Sequence, residues 1–544
     1  MRGKLVPQDP NDEPASLLLK KIAREKARLI KEEKIKKQKP PPKISDDEKP
    51  FELPVGWEWT RLGNVGNIFN GNSVSARVKE EKYTNIVGGL PFIATKDVGY
   101  GWEKFDYDNG VSIPKNEPKF NVAHKDAVLI CAEGGSAGKK CGITNQDICF
   151  GNKLFANELY GNIQSKYILS IYLSLTFYYQ FRDKMTGIIG GISSVKFNHL
   201  LLPIPPIFEQ KQIVAKVDEL MTLCDKLEQQ QTDSDKAHQT LVETLLVTLT
   251  TATDYNEFSE AWKRIANHFD ILFTTEQSID QLKQTILQLA VMGKLVPQNP
   301  KDEPASVLLK KIAKEKARLI KEGKIKKQKK LPEIREDEKL YELPQGWEWV
   351  RFGDVLDLIS DYHANGSYKI LKDNVELLDT EDYAIMLRTT NFSKLNRENY
   401  KYITKKAYNF LAKSKVVAGD IIMNKIGDPG ACFFVDDRGK PMSLAMNLFL
   451  LRTSMKIHSK FAYLHLLAQL KYVKSFAGGT STQTITKDAV NNLIFPLCPN
   501  KEQTKILAKV DELMAICDFL KDRLKETQTT QVQLADAIAE QAVA

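Results

Sequence analysis

The sequence has few cysteines, and none of them stand in a metal-binding arrangement. No two form a C-x-x-C pair, and no histidines follow any of them at zinc-ligand spacing. The pattern therefore predicts free thiols in a reducing cytoplasm and no metal site. The seven cysteines are Cys131, Cys141, Cys149, Cys224, Cys432, Cys498 and Cys517.

Long apolar runs are also missing. The longest uncharged apolar stretch, Tyr167 to Phe181, is too short and too rich in Ser, Thr and Tyr to cross a bilayer. The N-terminal residues are charged and polar, without the apolar centre of a secretory signal. We therefore expect a cytoplasmic protein with no membrane partner.

Catalytic motifs are lacking as well. The only double prolines, in "KPPPK" and "IPPIF", lack the preceding polar residue that an adenine methyltransferase needs. "GGSAGKK" has the wrong spacing for a P-loop and a lysine where a magnesium-binding Ser or Thr belongs. Metalloprotease, nucleophile-elbow and dinucleotide-binding motifs are absent too. The sequence predicts a binding protein that is not an enzyme, with no catalytic residues.

What is present is a long, mildly basic chain. Its 544 residues exceed one ordinary hydrophobic core, so several domains are expected. A formal net charge of +9 is compatible with a polyanionic partner but does not prove one.

The main feature is a duplication. "GKLVPQ" occurs at Gly3 and again at Gly293, and the match continues to "ELPVGWEWTRLGNV" and "ELPQGWEWVRFGDV", which end at Val65 and Val355. Downstream, "EQKQIVAKVDEL" and "EQTKILAKVDEL" form a second matched pair. The stretches between these borders, 66–208 and 356–501, are similar in length but nearly unrelated in sequence. The flanking segments, here called the repeated frame, thus occur twice, whereas the stretches between them differ in sequence.

The repeat is cyclic. "QLKQTILQLAVM" directly precedes the second "GKLVPQ", and the similar "QLADAIAEQAVA" ends the sequence. The continuation of this last segment is thus the N-terminus itself. We therefore expect the two halves to be related by a pseudo-twofold axis with the termini close together, and not a solenoid.

The segments that follow the framed stretches have the apolar spacing of a coiled-coil seam. Their apolar positions advance by four, three, four and three residues in both copies. The sequence predicts buried seams, cysteines included, at Ile213, Val217, Leu220, Cys224 and Leu227 and at Ile506, Val510, Leu513, Cys517 and Leu520. The central region also holds an unmatched helical segment near Trp262.

The framed stretches contain short β-rich runs interrupted by Gly, Asn and Pro, such as "AVLICAEGGSAGKK" and "DIIMNKIGDPGACFFV". Each also carries a glycine pair followed by small polar residues, in "GGISSVKF" and "GGTSTQTITK". The predicted fold class is α+β, with two mixed, β-rich lobes joined by long helices.

The two "GWEW" segments, the paired "AKVDEL" helices, the "LQLAVMGKLVPQ" junction and "NKIGDPGACFFV" together resemble the specificity subunit of a type I restriction-modification enzyme. The resemblance covers nearly the whole chain. It implies two target-recognition domains, here named lobe 1 (46–208) and lobe 2 (336–501). It also implies conserved helical regions at 1–45, 209–335 and 502–544, of which the first completes the last.

The resemblance further implies that each lobe recognises one half of a bipartite site in double-stranded DNA. The helices set the spacing and bind two methylation subunits, and restriction and translocation subunits join the complex. S-adenosylmethionine, ATP and magnesium then belong to those partners, and no cofactor is expected in this chain. A fused restriction-methylation enzyme and a coiled-coil scaffold without sequence specificity are the alternatives.

Base recognition calls for Arg, Lys, Asn, Gln, Ser or Thr on loops, because these side chains match the donors and acceptors of the major groove. Tyr368 is a further candidate, and a solvated loop is the competing interpretation for each residue. In lobe 1 the candidates are Ser73, Ser75, Arg77, Thr95, Lys96, Lys139, Lys140, Ser193, Ser194 and Lys196. In lobe 2 they are Tyr368, Lys369, Arg388, Thr389, Thr390, Asn391, Lys425, Thr482, Gln483, Thr484 and Lys487.

The basic helix after each "DEPAS" could contact phosphate, present a solvated face or bind protein, and the sequence leaves these alternatives open. Trp57, Trp59, Trp347 and Trp349 are expected in the lobe cores, and Gly427 to Gly430 in a turn between strands.

Overall fold

The computed structural model describes residues 2–37, 39–84, 86–187, 190–252, 255–392, 399–479 and 482–543. The chain divides into two compact units, unit 1 (Met1–Gln231) and unit 2 (Thr232–Ala544). Each unit contains one of the β-rich lobes. No helix in the described ranges is long and apolar enough to cross a membrane.

Unit 1 alternates short strands and helices before one long helix. Its elements are α1 (Ala15–Lys31), β1 (Glu58–Arg61), α2 (Leu62–Val65), β2 (Gly66–Asn70), α3 (Ala76–Lys82), β3 (Leu90–Ile93), β4 (Ser112–Ile113), β5 (Val122–Ala123), β6 (Val128–Cys131), β7 (Cys141–Ile143), β8 (Ile148–Phe150), β9 (Leu154–Leu159), α4 (Ser165–Tyr172), α5 (Leu175–Lys184), α6 (Ser194–Asn198) and β10 (Leu201–Ile204). Helix α7 (Ile207–Thr251) begins in unit 1 and ends in unit 2.

Unit 2 repeats this order after three additional helices and with one further helix inside the lobe. Its elements are α8 (Tyr255–Ala266), α9 (Phe269–Leu272), α10 (Glu276–Val291), α11 (Ala305–Lys321), β11 (Glu348–Arg351), α12 (Phe352–Val355), β12 (Leu356–Asp361), α13 (Tyr368–Asn374), β13 (Ala384–Leu387), β14 (Lys401–Ile403), α14 (Lys405–Phe410), β15 (Lys415–Val416), β16 (Ile421–Asn424), β17 (Cys432–Phe434), β18 (Met442–Leu444), β19 (Leu448–Thr453), α15 (Ser459–Ala468), α16 (Leu470–Ser475), α17 (Lys487–Asn492), β20 (Ile494–Leu497) and α18 (Asn500–Val543). The further helix is α14, between β14 and β15. Short 3-10 turns lie at Asp46–Glu48, Thr95–Asp97, Glu336–Glu338, Tyr362–Asn365 and Thr389–Phe392.

The two lobes share one topology although their sequences differ. Lobe 1 has four-stranded sheets of order β2-β9-β6-β7 and β4-β3-β8-β5, and lobe 2 has β12-β19-β16-β17 and β14-β13-β18-β15. The central pairs β3–β8 and β13–β18 are parallel, and the other pairs are antiparallel. The prediction of two β-rich lobes joined by a long helix is confirmed. Alternating apolar residues fill the space between the sheets, which explains why different sequences form the same lobe.

The repeated frame closes each lobe on itself. β1 pairs with β10, and β11 with β20, so the strand that opens a lobe lies beside the strand that ends it. In lobe 1, the Nε1 of Trp57 donates to Glu209 at 2.8 Å, and Gln8 of "GKLVPQ" donates to the same carboxylate at 3.3 Å. Burial raises the pKa of Glu209.

Unit 2 has the same arrangement. Trp347 donates to Glu502 at 3.1 Å, and Gln298 donates to it at 3.2 Å. Burial likewise raises the pKa of Glu502. Each "GKLVPQ" segment therefore fastens the first turn of the helix that leaves the lobe, and this gives the duplicated motif its structural role.

Four of the five predicted seam positions of α18 are buried in unit 2, and Leu520 is half-buried. Ile506, Val510, Leu513 and Cys517 are at most 5% exposed. They pack against α10, whose own apolar positions Ile279, Leu282, Ile286 and Leu289 are fully buried. Ion pairs from Lys521 to Asp280 and Glu276 flank this contact. The two helices form the apolar stripe and charged edges of a coiled-coil pair.

The corresponding seam of α7 differs from the prediction. Ile213 is buried and Val217 is half-buried, but Leu220 and Leu227 are exposed, and so is Cys224. The expectation of a buried Cys224 is wrong for the described structure of unit 1. The physical reason is that burial of an apolar stripe requires a second element packed against it. The seam of α18 has α10 beside it, whereas these three positions on α7 are exposed.

The unmatched segment near Trp262 forms α8 and α9. Phe258, Ala261, Ile265 and Leu272 are buried in the main core of unit 2, together with Val242 and Leu246 of α7 and the apolar face of α10. The segment is therefore an integral part of that core, because its apolar face is covered by neighbouring helices.

His465 provides a pH-dependent contribution to the stability of unit 2. It is fully buried on α15, its Nε2 lies 3.0 Å from the carbonyl oxygen of Ile494, and burial lowers its pKa to about 4. The unfolded chain therefore binds a proton as the pH falls below 6.5, while the folded chain stays neutral to about pH 4.

We expect this difference to remove about 3 kcal/mol of stability between pH 6.5 and pH 4. Urea unfolding of the full chain across this range checks it, with His465→Phe as the variant and His363→Gln, at an exposed histidine, as the control. His465→Phe should flatten the pH dependence. An unchanged slope in that variant would contradict the assignment.

Candidate nucleic-acid interface

In lobe 1, two candidate loops come together at one end of a sheet. The loop after β6 carries Glu133, which forms a β-bridge with Gly191 of the glycine-pair loop. Gly134 N–H donates to the carbonyl of Gly190 at 2.8 Å, and Ile192 N–H donates to that of Ala132 at 3.0 Å. An open cleft of about 780 Å³ lies here. Its polar lining is Asn70, Glu133, Asn152, Thr186, Ser193 and Ser194.

Lobe 2 brings the matching loops together with different side chains. Ile426 forms a β-bridge with Thr484, and the Ile485 N–H donates to the carbonyl of Lys425 at 3.1 Å. The ammonium groups of Lys425 and Lys487 lie 3.8 Å and 3.2 Å from the two carboxylate oxygens of Asp361. Three elements, β12, the loop after β16 and α17, thus contribute one charged cluster.

The lobe 1 candidates are spread over these two loops and others. Lys140 donates to the carbonyl oxygen of Thr95 at 3.3 Å, which joins the β6–β7 hairpin to the turn that carries the exposed Lys96. The Oγ of Ser75 caps α3 by accepting from Val78, and exposed Arg77 pairs with Glu81 at 2.7 Å. Ser73 and Lys139 are exposed, Ser193 caps α6, and Lys196 donates to the carbonyl of Lys184.

In lobe 2, several candidates surround a mostly apolar cleft of about 360 Å³. Tyr368, Arg388, Thr389 and Thr390 line it together with Met446. The cleft lies between α13, the end of β13 and the turn before β19. Lys369, Thr482 and Gln483 are exposed, and Thr484 is half-buried beside the Lys425 loop.

Asn391 does not fit the prediction that it contacts bases. It is 1% exposed, and its Oδ1 accepts from the Arg388 N–H while its Nδ2 donates to the carbonyl of Asn399. Its carboxamide is thus committed to holding the turn after β13. The prediction for Asn391 is wrong because its polar groups already have partners inside the lobe.

Sequence reasoning missed Asp361, Asn70 and Asn152. Asp361 is a carboxylate, so a search for hydrogen-bond donors to base edges passed over it. Its relevance arises from the two lysines that the fold brings to it from about 60 and about 130 positions downstream.

The basic helices have a partly structural role. Lys26 on α1 donates to the carbonyl of Gly63 at 2.6 Å, and Lys316 on α11 donates to that of Gly353 at 2.8 Å. Burial lowers the pKa of both lysines. Both thus fix the helix to the lobe. The other basic residues of the first copy, for which phosphate, solvent or protein contact stays open, are Lys20, Lys21, Arg24, Arg28, Lys31, Lys34, Lys36 and Lys37.

Two of the four tryptophans and the glycine-rich turn lie as expected, whereas Trp59 and Trp349 lie at the margin of the cores. Trp57 and Trp347 are buried, and Trp59 and Trp349 are half-buried, each donating to a backbone carbonyl at 3.3 Å. Gly427 to Gly430 form the turn between β16 and β17, where both glycines have a φ near +90°. Among the described residues, His, Cys, Asp and Glu form no group of three or more that fits a metal ion.

Comparison with known proteins gives one consistent result. The model of the type I restriction modification DNA specificity domain matches residues 54–234 and 344–528. The EcoAI and EcoEI type I restriction enzyme specificity subunits of Escherichia coli are each 39% identical, over 100% of this chain and 92% of their own length.

One solved structure is described as the "structural basis underlying complex assembly and conformational transition of the type I R-M system". It aligns with a TM-score of 0.51 at 16% identity, over 90% of this chain and 98% of its own. At this identity the likeness concerns the fold alone.

Proposed function

The chain belongs to the type I restriction-modification DNA specificity family, and we propose that it is the non-catalytic subunit that selects the DNA sequence on which a type I complex acts. Lobe 1 (46–208) recognises one half of a bipartite, asymmetric site in double-stranded DNA. Lobe 2 (336–501) recognises the other half.

One observation carries this proposal: two lobes of the same topology bear different polar side chains at the same place. At the end of the β2 sheet, lobe 1 has an open cleft lined by amide and hydroxyl groups and by Glu133. At the end of the matching β12 sheet, lobe 2 has the Asp361–Lys425–Lys487 cluster. Base edges are distinguished by the pattern of donors and acceptors that they meet. Equal scaffolds with unequal side chains therefore suit two different half-sites.

The long helices supply a fixed distance and docking surfaces. A helix rises about 1.5 Å per residue, so roughly 20 residues span about 30 Å, close to one turn of B-DNA. We propose that the helical regions 209–335 and 502–544, the latter completed by 1–45, set the gap between half-sites. They also bind two methylation subunits, one for each copy of the repeated frame.

The chemistry of the complex then belongs to its partners. In this proposal the methylation subunits bind S-adenosylmethionine and modify adenine, and restriction subunits use ATP and magnesium. The present chain contributes sequence recognition only.

The decisive test is the methylation pattern of a host that lacks other methylases. The full chain, co-expressed with its methylation partner, should methylate one motif with two short defined halves around a fixed gap. A soluble, active complex without such a motif would sink the proposal. Methyl transfer by the isolated chain would instead favour a fused enzyme.

Exchange of lobe 1 gives a sharper prediction. Replacing residues 66–208 with the corresponding stretch of a related specificity subunit should change one half of the motif completely. The other half and the gap should stay the same, because lobe 2 and the helical regions lie outside the exchanged stretch. The incoming stretch supplies its own last strand in place of β10 to pair with β1. The matched control is exchange of 356–501, which should change only the opposite half. A change in both halves from either exchange would contradict independent recognition.

A further inference from the structure

The charged cluster of lobe 2 occupies the same structural position as the open cleft of lobe 1. Asn70 ends β2 opposite Phe155, as Asp361 ends β12 opposite Phe449. In lobe 1, the residue that pairs with Leu154 is followed directly by Ala132. In lobe 2, the residue that pairs with Leu448 is followed directly by Lys425, so Ala132 and Lys425 are equivalent. Ser194 and Lys487 each begin the short helix after the glycine-pair loop. From lobe 1 to lobe 2, Asn70 is thus replaced by Asp361, Ala132 by Lys425, and Ser194 by Lys487.

The cluster is held in place from its buried side. The side chain of Asp361 is only 12% exposed, and its Oδ1 also accepts from the Ala364 N–H at 2.9 Å. The lysine side chains are 31% and 36% exposed, and Lys425 additionally lies over the ring of Phe449. A fixed carboxylate therefore orients two partly exposed ammonium groups at the lobe surface.

The chemistry of two adjacent ammonium groups selects among DNA bases. Ammonium groups only donate hydrogen bonds. In the major groove, guanine offers two neighbouring acceptors, N7 and O6, whereas adenine pairs an acceptor with an amino donor and cytosine offers a donor. Of the purine edges, only guanine accepts from two donors side by side.

Phosphate also accepts from lysine, but two observations favour a base. The carboxylate of Asp361 offsets one of the two positive charges and would repel a phosphate beside it. Moreover, the equivalent positions in lobe 1 are uncharged. Contacts to the DNA backbone carry no sequence information, so both lobes can make them with the same side chains. Side chains that contact bases differ with the half-site.

We infer that Lys425 and Lys487 recognise a guanine in the half-site of lobe 2 and that Asp361 is the positioning residue for both. This inference rests on the proposed function. It names the base, the contacting side chains and the residue that orients them.

The test begins with the motif methylated by the full chain and its methylation partner. The wild-type motif should contain a G·C pair in the half that depends on 356–501. Lys425→Ala with Lys487→Ser installs the lobe 1 side chains at these positions. The preference for that G·C pair over A·T, expected to be at least about 10-fold, should then fall close to 1.

Asp361→Asn separates positioning from bulk charge. A positioning role predicts that this single change also relaxes the same base pair although both lysines remain. If Asp361 acted through charge alone, its removal would strengthen binding to every duplex and leave the motif intact, and that result would overturn its assignment.

Lys460→Ala is the matched control, because this lysine is also an ion-paired surface residue, 3.4 Å from Asp511. It should leave the motif unchanged. Should the double variant prove insoluble, Lys487→Gln alone, at the more exposed lysine, provides the same readout. A wild-type half-site without G·C would overturn the inference, as would weaker binding of the lysine variants to all duplexes with the motif intact. A wild-type complex with no bipartite motif would instead refute the proposed function.

Discussion

We expect Arg351→Ala to lower the free energy of unfolding of unit 2 by about 3–5 kcal/mol, because it leaves buried polar groups without their partner. The guanidinium is 5% exposed and forms two hydrogen bonds with the carboxylate of Glu338, at 2.8 and 2.9 Å. It also donates to the carbonyls of Pro332, Glu333 and Asn492. The Arg351 side chain on β11, the first strand of lobe 2, thus joins the segment before the lobe to the turn before β20, the last strand.

Urea unfolding of the full chain, followed by circular dichroism, measures the effect. Arg318→Ala is the control, since Arg318 has two ion pairs but is 56% exposed, and we expect a change below about 1 kcal/mol. Arg351→Lys should behave like the alanine variant, because an ammonium lacks the planar fork that serves five acceptors. Retention of wild-type stability in Arg351→Ala would refute the joining role.

The same arrangement in unit 1 provides a second comparison. Arg61 donates to both carboxylate oxygens of Glu48 and to the carbonyls of Pro42, Lys43 and His199. Arg61→Ala should therefore destabilise unit 1 to a similar extent. The two effects should add, because no partner of one arginine is a partner of the other.

We expect Leu282→Asp to remove more than about 4 kcal/mol from the stability of unit 2, because it deletes a buried side chain and places a carboxylate among apolar groups. Leu282 is fully buried where α10 meets the seam of α18. Urea unfolding of the full chain measures the loss, which should appear as a lower midpoint for the unfolding of unit 2.

Two controls separate packing from other causes. Leu282→Met keeps the volume and should cost less than about 1.5 kcal/mol. Ile271→Asp, at a residue 68% exposed, should change stability by less than about 1 kcal/mol. Equal losses from Leu282→Asp and Ile271→Asp would contradict the contribution of the α10–α18 contact.

Helices and repeats were the features that the sequence predicted best. The four-three spacing gave the burial of Val510, Leu513 and Cys517 on α18, since helical periodicity is a local property of the chain. The same spacing failed for Cys224, because burial also depends on whether another helix lies against the stripe. Periodicity therefore identifies the apolar face of a helix but does not show whether a neighbouring helix buries that face.

The candidate site was predicted less well. Residue type and loop position selected Lys425 and Lys487, yet the same criteria selected Asn391, which is buried and fully bonded. They omitted Asp361, whose two lysine partners come from distant segments. Whether a polar side chain faces solvent or holds its own turn depends on hydrogen bonds that composition does not specify.

The sequence by itself determined the duplicated frame, the class of the protein and the long helices, because repeats, motifs and periodicity are written along the chain. Only the tertiary structure decided that two unrelated stretches form the same pair of sheets. It also decided that Gln8 and Gln298 fasten the helices that leave the lobes, and that Asn70 and Asp361 occupy equivalent places. The physical reason is that strand pairing joins residues far apart in sequence, so the register at a sheet end determines which side chains share a site.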